Sequence, residues 1–127
     1  MNKIAINVDI GYAFDMLAIS SVKLAKIMND DEKLDLAIRN NASLLADLCD
    51  QINTDKLAQV LGSKEYKALL EKNREVFEAV DKAKNDEVKA SYVDRLNYER
   101  WVLKNELQTK FFGIEPSEQK IGYDKAN

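Results

Sequence analysis

Three polar side chains near the C-terminal end of the chain have the types and the spacing to hold an anion. Asn97, Arg100 and Lys104 follow one another at intervals of three and four residues, so on a helix they share one narrow face. An amide, a guanidinium and an ammonium on one face can bind the phosphate or carboxylate of a small ligand such as a nucleotide or a sugar phosphate. This cluster is therefore a candidate ligand site, which Asp15 could close.

A row of acids on the preceding helix offers a second kind of chemistry. These residues, at intervals of four, three and three, are Glu71, Glu75, Glu78 and Asp81. Carboxylates on one helix face can hold Mg²⁺. Basic residues intersperse them, as on a solvated helix face with paired charges, so we expect no metal and no cofactor here.

The composition excludes several kinds of active site. The chain has no His, which removes imidazole acid/base chemistry, Ser-His-Asp triads and His-containing metal sites. A single Cys removes disulfides and cysteine metal sites. That residue, Cys49, has no His to activate it and is expected to be a small core residue of the second helix. Catalysis is therefore disfavoured.

Nucleic-acid binding is a weaker alternative. The net charge is −3, a poor field for attracting polyanions. Basic residues do interleave with aromatic ones on the last helix, as in proteins that stack bases, but neighbouring acids nearly cancel their charge. A chain without a long apolar run or an export signal is expected to be a cytoplasmic protein that does not enter a membrane.

The apolar periodicity predicts an all-α fold. At 127 residues the chain suits one domain, which we expect to be a helical bundle over residues 1–113 with a polar tail over residues 114–127. The prediction is an antiparallel bundle of four main helices with one short extra helix. Alternating residues Ile4, Ile6 and Val8 could add a short N-terminal strand. No second strand is evident in the sequence, so this strand could pair across a dimer.

Side chains with capping chemistry predict where the helices begin and end. Helix one follows Asp9 and runs to Met28, and helix two runs from the acids at 30–32 to Ile52. A short helix then follows Thr54. Helix three follows Ser63, and helix four runs from a cap at Asn85-Asp86 to Phe112. Gly62 and Gly113 are both expected to end a helix in the left-handed conformation.

Four polar residues interrupt the apolar stripes of these helices at inward positions. They are Ser21, Asn41, Asn73 and Arg100. Because mid-helix residues of an antiparallel bundle meet at one level, we expect one polar layer in which amide and hydroxyl oxygens accept from the guanidinium. Asp15 or a Glu of helix three could supply the counter-charge. The layer serves either to fix helix register or as part of the ligand site described above.

Helix four is apolar on a second face as well. Tyr98, Trp101 and Phe112 point away from its Leu96, Leu103 and Leu107 stripe. That face must be covered, either by another helix of the same chain or by a second copy in a homodimer.

Two segments resemble a small bacterial and phage helical family, a domain of unknown function. The first has Ile10-Gly11, Asp15, Leu17, Ile19, Val22-Lys23, Lys26-Ile27 and Lys33-Leu34, similar to that family's Ile-Gly-Glu-Leu-Ile-Asp-Lys-Leu opening, with Tyr12 and Met16 where the family tends to have Glu and Lys. The second has Asn97, Arg100, Lys104, Leu107, Gly113, Glu118, Lys120 and Tyr123, similar to its Asn-x2-Arg-x3-Lys helix and Tyr-terminated tail, with one additional residue before the Tyr.

The resemblance implies a polar signature that joins Asp15 and Lys23 to Asn97, Arg100 and Lys104. It also implies similarity to proteins found near surface-polysaccharide or glycosyltransferase functions. The sequence as a whole favours a small non-enzymatic interaction module that self-associates. Binding of a small anion at Asn97, Arg100 and Lys104 is the first alternative.

Overall fold

A computed structural model describes residues 3–27 and 31–117, and within these ranges it contains five helices and no strand. They are α1 (Ile10–Lys26), α2 (Asp31–Gln51), α3 (Thr54–Leu61), α4 (Lys64–Lys84) and α5 (Ala90–Phe112). The predicted all-α bundle is confirmed. None of the helices in the described ranges is long and apolar enough to cross a bilayer.

The predicted N-terminal strand does not form within the single chain. Residues 3–9 have no regular secondary structure, and Ile4 and Ile6 are 87% and 71% exposed. An isolated strand has no ladder to satisfy its backbone groups, and no strand partner occurs in the described ranges.

Two of the helix ends lie where the sequence places them. Ser63 precedes α4, and its hydroxyl accepts a hydrogen bond from the Tyr66 amide at 3.1 Å, which satisfies one first-turn donor. Gly113 ends α5 with φ of 64°, in the left-handed region that glycine adopts at low cost.

Other helix ends differ from the prediction. Asn53, and not Thr54, caps α3, because its carboxamide oxygen accepts from the amides of Asp55 and Lys56. Gly62 has φ of −86°, so the chain leaves α3 without a left-handed residue. The cap predicted at Asp86 is wrong, since this residue lies in a turn at φ of 58° and α5 begins only at Ala90.

Helices α1, α4 and α5 form the centre of the bundle. The pairs Glu65–Lys110 and Lys72–Glu99 run in opposite orders along α4 and α5, so these helices are antiparallel. α1 packs against both of them and carries α2 on its other side. The short α3 fills the space between α2 and α4. α2 is thus the outermost of the long helices.

Polar residues divide the apolar core into two parts. The larger cluster lies around Phe14, Leu69 and Leu107, and the smaller one contains Val76, Ala79 and Leu96. Along α4, Asn73 lies between Leu69 of the first cluster and Val76 of the second. Helix α5 repeats this order, with Arg100 between Leu107 and Leu96.

Helix α2 is attached to the bundle by a narrow contact. Of its 21 residues only Leu48 is buried. Leu36, Ile38 and Leu45 are 53%, 48% and 37% exposed. Cys49, predicted to lie in the core, is exposed, because α2 meets the bundle along only one side and this residue lies beyond that side.

Candidate functional site

A largely buried polar cluster joins the three central helices at mid-height. Asn73 Nδ2 donates to Asp15 Oδ1 at 2.9 Å and to the Leu69 carbonyl at 3.1 Å. Arg100 Nη1 donates to Asn73 Oδ1 at 3.3 Å, and Arg100 Nε lies 3.7 Å from Asp15 Oδ2. The Asn73 amide therefore bridges a carboxylate and a guanidinium, and uses both of its ends in doing so.

A second polar cluster joins α1 to α2 and α4. Asn41 Nδ2 donates to the hydroxyl oxygens of Ser20 and Ser21, both at 3.2 Å. Ser21 also hydrogen-bonds the Tyr66 hydroxyl. Burial raises the pKa of Tyr66 to about 12, and the nearby Asp15 charge adds to this effect while the Ser21 hydrogen bond opposes it.

The structure thus places the four residues of the predicted layer in two clusters. Asn73 and Arg100 meet in the first, and Ser21 and Asn41 meet in the second. The main electrostatic partner of the guanidinium is the Asp15 carboxylate, in addition to the amide oxygen of Asn73. A carboxylate that is 5% exposed needs a cation nearby, and Arg100 supplies it.

Arg100 is not fully enclosed. Its side chain is 26% exposed and lines a cleft of about 260 Å³ between α1, α4 and α5. Most of the cleft wall is apolar, with Ile19, Val76 and Phe77 among its residues. The guanidinium therefore has one face on the internal carboxylate and one face toward this cleft.

The residues of the predicted anion site are distributed over three environments. Lys104 is 7% exposed, and its Nζ lies 4.9 Å from the centroid of the Tyr12 ring, a cation–π distance. Asn97 is half-buried on the same helix. Lys23 is exposed and lines a different groove, between α1 and α2. Anion binding at Asn97, Arg100 and Lys104 stays a prediction, as does nucleic-acid binding.

Gln108 is a fully buried polar residue that the sequence pattern does not reveal. Its Oε1 accepts from the Gly11 amide at 2.7 Å, and its Nε2 donates to the Ile114 carbonyl at 3.2 Å. Gly11 lies in the first turn of α1, where amides have no partner within the helix. A Gln is ordinarily a surface residue, and only its position next to the inward Leu107 hints at burial.

Asp9 explains why the first turn of α1 needs this partner. The residue is at the predicted N-cap position but makes no side-chain capping bond. Its carboxylate accepts instead from Ser117, at 2.8 Å from the amide and 2.6 Å from the hydroxyl. These two bonds lower the pKa of Asp9. Asp9 thus ties the segment before α1 to the segment after α5, and Gln108 satisfies the Gly11 amide.

The aromatic residues predicted as an interface lie in two places. Phe112 packs on Phe14 with ring centroids 6.1 Å apart and belongs to the rim of the core. Tyr98 and Trp101 stack on each other at 5.8 Å and are half-buried. The Trp101 indole nitrogen and the Asn105 amide nitrogen are enclosed and make no hydrogen bond to any part of the chain that the structure describes. The protein itself covers much of this face.

The glutamates of α4 are paired with neighbouring bases, whereas Asp81, the last acid of the predicted row, is exposed. Arg74 forms ion pairs with Glu71 and Glu78, and Lys72 joins Glu75 to Glu99 at 3.1 and 3.0 Å. Hydrogen bonds from Arg74 and Lys26 lower the pKa values of Glu71 and Glu78, respectively. The described residues contain no group of His, Cys, Asp or Glu that could hold a metal ion.

Helix α2 presents apolar residues on two sides. On one side it forms the wall of a groove whose floor is the outer face of α1; we call this the α1/α2 groove, and it has a volume of about 590 Å³. On the other side, four exposed residues form what we call the α2 strip: Ile38, Ala42, Leu45 and Cys49. Leu36, in the groove, lies about 160° around the helix from Ile38 at ~100° per residue.

Comparison with known proteins adds no relative. Three residues that carry the resemblance lie outside the described residues: Glu118, Lys120 and Tyr123. Met28, at the predicted end of helix one, lies outside them as well. The resemblance to a bacterial and phage family stays a prediction, because the chain matches no family model, no curated protein and no solved structure.

Proposed function

We propose that this protein is a small non-enzymatic interaction module that self-associates through the α2 strip. The observation that carries the proposal is the exposure of α2, a helix of 21 residues with one buried side chain. An amphipathic helix gains most of its stability from covering its apolar side. Ile38 and Leu45 are 48% and 37% exposed, so this helix has apolar surface left to cover.

The spacing of the α2 strip favours another helix as the partner. Ile38, Ala42, Leu45 and Cys49 follow at intervals of four, three and four, the pattern of a coiled-coil seam. Ala42 is small, which allows two helices to approach closely at the middle of the strip. A second copy of α2 offers the same seam, as a two-fold dimer requires.

Charge favours an antiparallel pair of α2 helices. A parallel pair would bring Arg39 next to Arg39 and Asp50 next to Asp50 of the second copy. An antiparallel pair centred on the middle of the strip, between Ser43 and Leu44, places Arg39 of each chain opposite Leu48 of the other and about two residues from its Asp50, and opposite charges at a rim fix register. We therefore infer an isologous antiparallel dimer.

Sedimentation velocity over a range of concentrations tests this proposal. The wild-type chain is expected to shift from monomer to dimer with increasing concentration. Replacement Ile38→Glu removes two half-exposed Ile side chains from the dimer, about 1 kcal/mol each, so the dissociation constant should rise at least about 30-fold. Leu36→Glu, an equally exposed position on the other side of α2, is the matched control and should leave the dimer intact.

The single thiol provides a second, independent readout. Cys49 lies within the proposed contact, so maleimide should label it more slowly in the dimer than in the Ile38→Glu monomer. An antiparallel pair separates the two thiols, and oxidation should therefore give little disulfide-linked dimer. A wild-type chain that remains monomeric at millimolar concentration, or equal effects of Ile38→Glu and Leu36→Glu, would refute the proposal.

A further inference from the structure

The α1/α2 groove has the size and lining of a site for a small molecule. Its volume of about 590 Å³ lies within the roughly 300–1,000 Å³ of such pockets. Met16 and Ile19 form its floor, and Leu36 and Leu44 form its wall. The described residues that line it include no aromatic ring, so the groove offers flexible aliphatic contact and no platform on which a nucleobase could stack.

The charges around this groove have one predominant sign. Lys3 from the N-terminal segment, Lys23 from α1 and Lys33 from α2 all line it, whereas Asp47 is the one acid among its described lining residues. The whole chain carries a net charge of −3, so this concentration of cations is local. A groove with an apolar floor and a cationic border is complementary to a molecule with an aliphatic body and an anionic end.

Polar groups on both helices can orient such an anionic end. Ser20 on α1, together with Asn40 and Ser43 on α2, lines the same groove. Hydroxyl and amide groups can donate hydrogen bonds to a carboxylate, and these bonds add to the attraction of the ammonium groups. A hydrocarbon chain then lies along Met16 and Leu36.

From this lining we propose that the α1/α2 groove binds a monomeric aliphatic carboxylate, with the hydrocarbon on the floor and the carboxylate at the lysines. The proposal is separate from self-association, because the groove and the α2 strip lie on different sides of α2. The experiments below test this proposal against two other occupants of the groove, a second copy of the chain and a membrane surface.

Calorimetric titration of the full chain with octanoate, decanoate and dodecanoate, below their micelle concentrations, tests the proposal. We expect one carboxylate per chain, unchanged helicity by circular dichroism, and an affinity that rises about fourfold for each added methylene until the groove is filled. Decanol, which lacks the charge, should bind more weakly than decanoate, and decyltrimethylammonium should not bind.

Paired variants locate the site. Leu36→Glu places a carboxylate in the groove and should weaken decanoate binding at least tenfold, whereas Ile38→Glu on the α2 strip should bind as wild type does. Lys23→Gln should weaken it about 1.5- to fivefold, the range for one exposed ion pair. Lys82→Gln, which removes an exposed charge of α4 outside the groove, should have no effect.

Several results would overturn the proposal. They are the absence of decanoate binding at millimolar concentration, equal binding of decanol and decanoate, and equal effects of Lys23→Gln and Lys82→Gln. Co-sedimentation with anionic phospholipid vesicles without binding of monomeric decanoate would assign the groove to a membrane surface instead. Loss of the dimer in the Leu36→Glu variant would instead assign the α1/α2 groove to a second copy of the chain. A monomeric wild type that still binds decanoate would refute self-association alone.

Discussion

Replacement of Gly11 by Ala is expected to destabilise the protein through one close approach between helices. A Cβ at this position would lie 2.5 Å from the backbone carbonyl oxygen of Lys104 and 3.2 Å from the Gln108 side chain. The first of these atoms belongs to a helix backbone, so it can move only if α5 moves away from α1. Such a movement also lengthens the 2.7 Å hydrogen bond from the Gly11 amide to Gln108.

The size of the effect is the sum of two destabilising contributions and one smaller stabilising contribution. Forcing a methyl group into a packed contact costs about 1–3 kcal/mol. Loss of the buried hydrogen bond adds about 1–2 kcal/mol, because the Gly11 amide then has no partner. Ala is a better helix former than Gly by about 1 kcal/mol, which offsets part of this cost. The expected net loss in the free energy of unfolding is about 1–4 kcal/mol.

Urea denaturation followed by circular dichroism measures this loss, and two other glycines serve as controls. Gly113→Ala introduces no contact within 4 Å but sits at φ of +64°, so only backbone strain of about 1 kcal/mol is expected. Gly62→Ala has an ordinary φ and a nearest atom at 3.3 Å, and should change stability by less than about 0.5 kcal/mol. A loss for Gly11→Ala no larger than that for Gly62→Ala would refute the reasoning.

Three further predictions concern the polar clusters. Arg100→Ala should cost about 2 kcal/mol in urea denaturation, less than the ~3–5 for breaking a fully buried pair with Asp15, because part of the guanidinium is already in water. Gln108→Ala should cost about 2–4 kcal/mol in the same assay, since it leaves the Gly11 amide unpaired and a cavity in its place; a loss below about 1 kcal/mol would argue against burial. Tyr66 should make stability depend on alkaline pH: its folded pKa of about 12 lies above its usual 10.0, so its contribution is complete below pH 10 and falls by roughly 3 kcal/mol as the pH rises to 12. Tyr66→Phe should remove that component of the alkaline loss, and an unchanged loss in this variant would contradict it.

The helices themselves follow from periodicity, whereas their partners do not. An alternation of three and four in apolar residues predicts a helix because it aligns them on one face. The same pattern cannot say which element covers that face. Cys49 lies beside the Leu48 stripe and suggested a core position, but α2 has a neighbour on one side only, so the thiol is exposed.

The candidate site was predictable only as far as single-helix geometry reaches. Inward positions of Asn73 and Arg100 follow from spacing, and the two side chains meet in the structure. Asp15, which completes their cluster, is predicted by the need for a counter-charge and not by its position on α1. The role of Gln108 depends on a long-range contact with Gly11, and no local pattern encodes such a contact.

The division of the core at Asn73 and Arg100 has a consequence for how the molecule opens. The smaller cluster of Val76, Ala79 and Leu96 lies toward the turn between α4 and α5, where it has few apolar neighbours. Opening of this end exposes little apolar area and leaves the cluster around Phe14 and Leu107 intact. Amide hydrogen exchange should therefore proceed faster near the turn than at the opposite end. The two ends of this small domain would then open as two cooperative units of unequal stability.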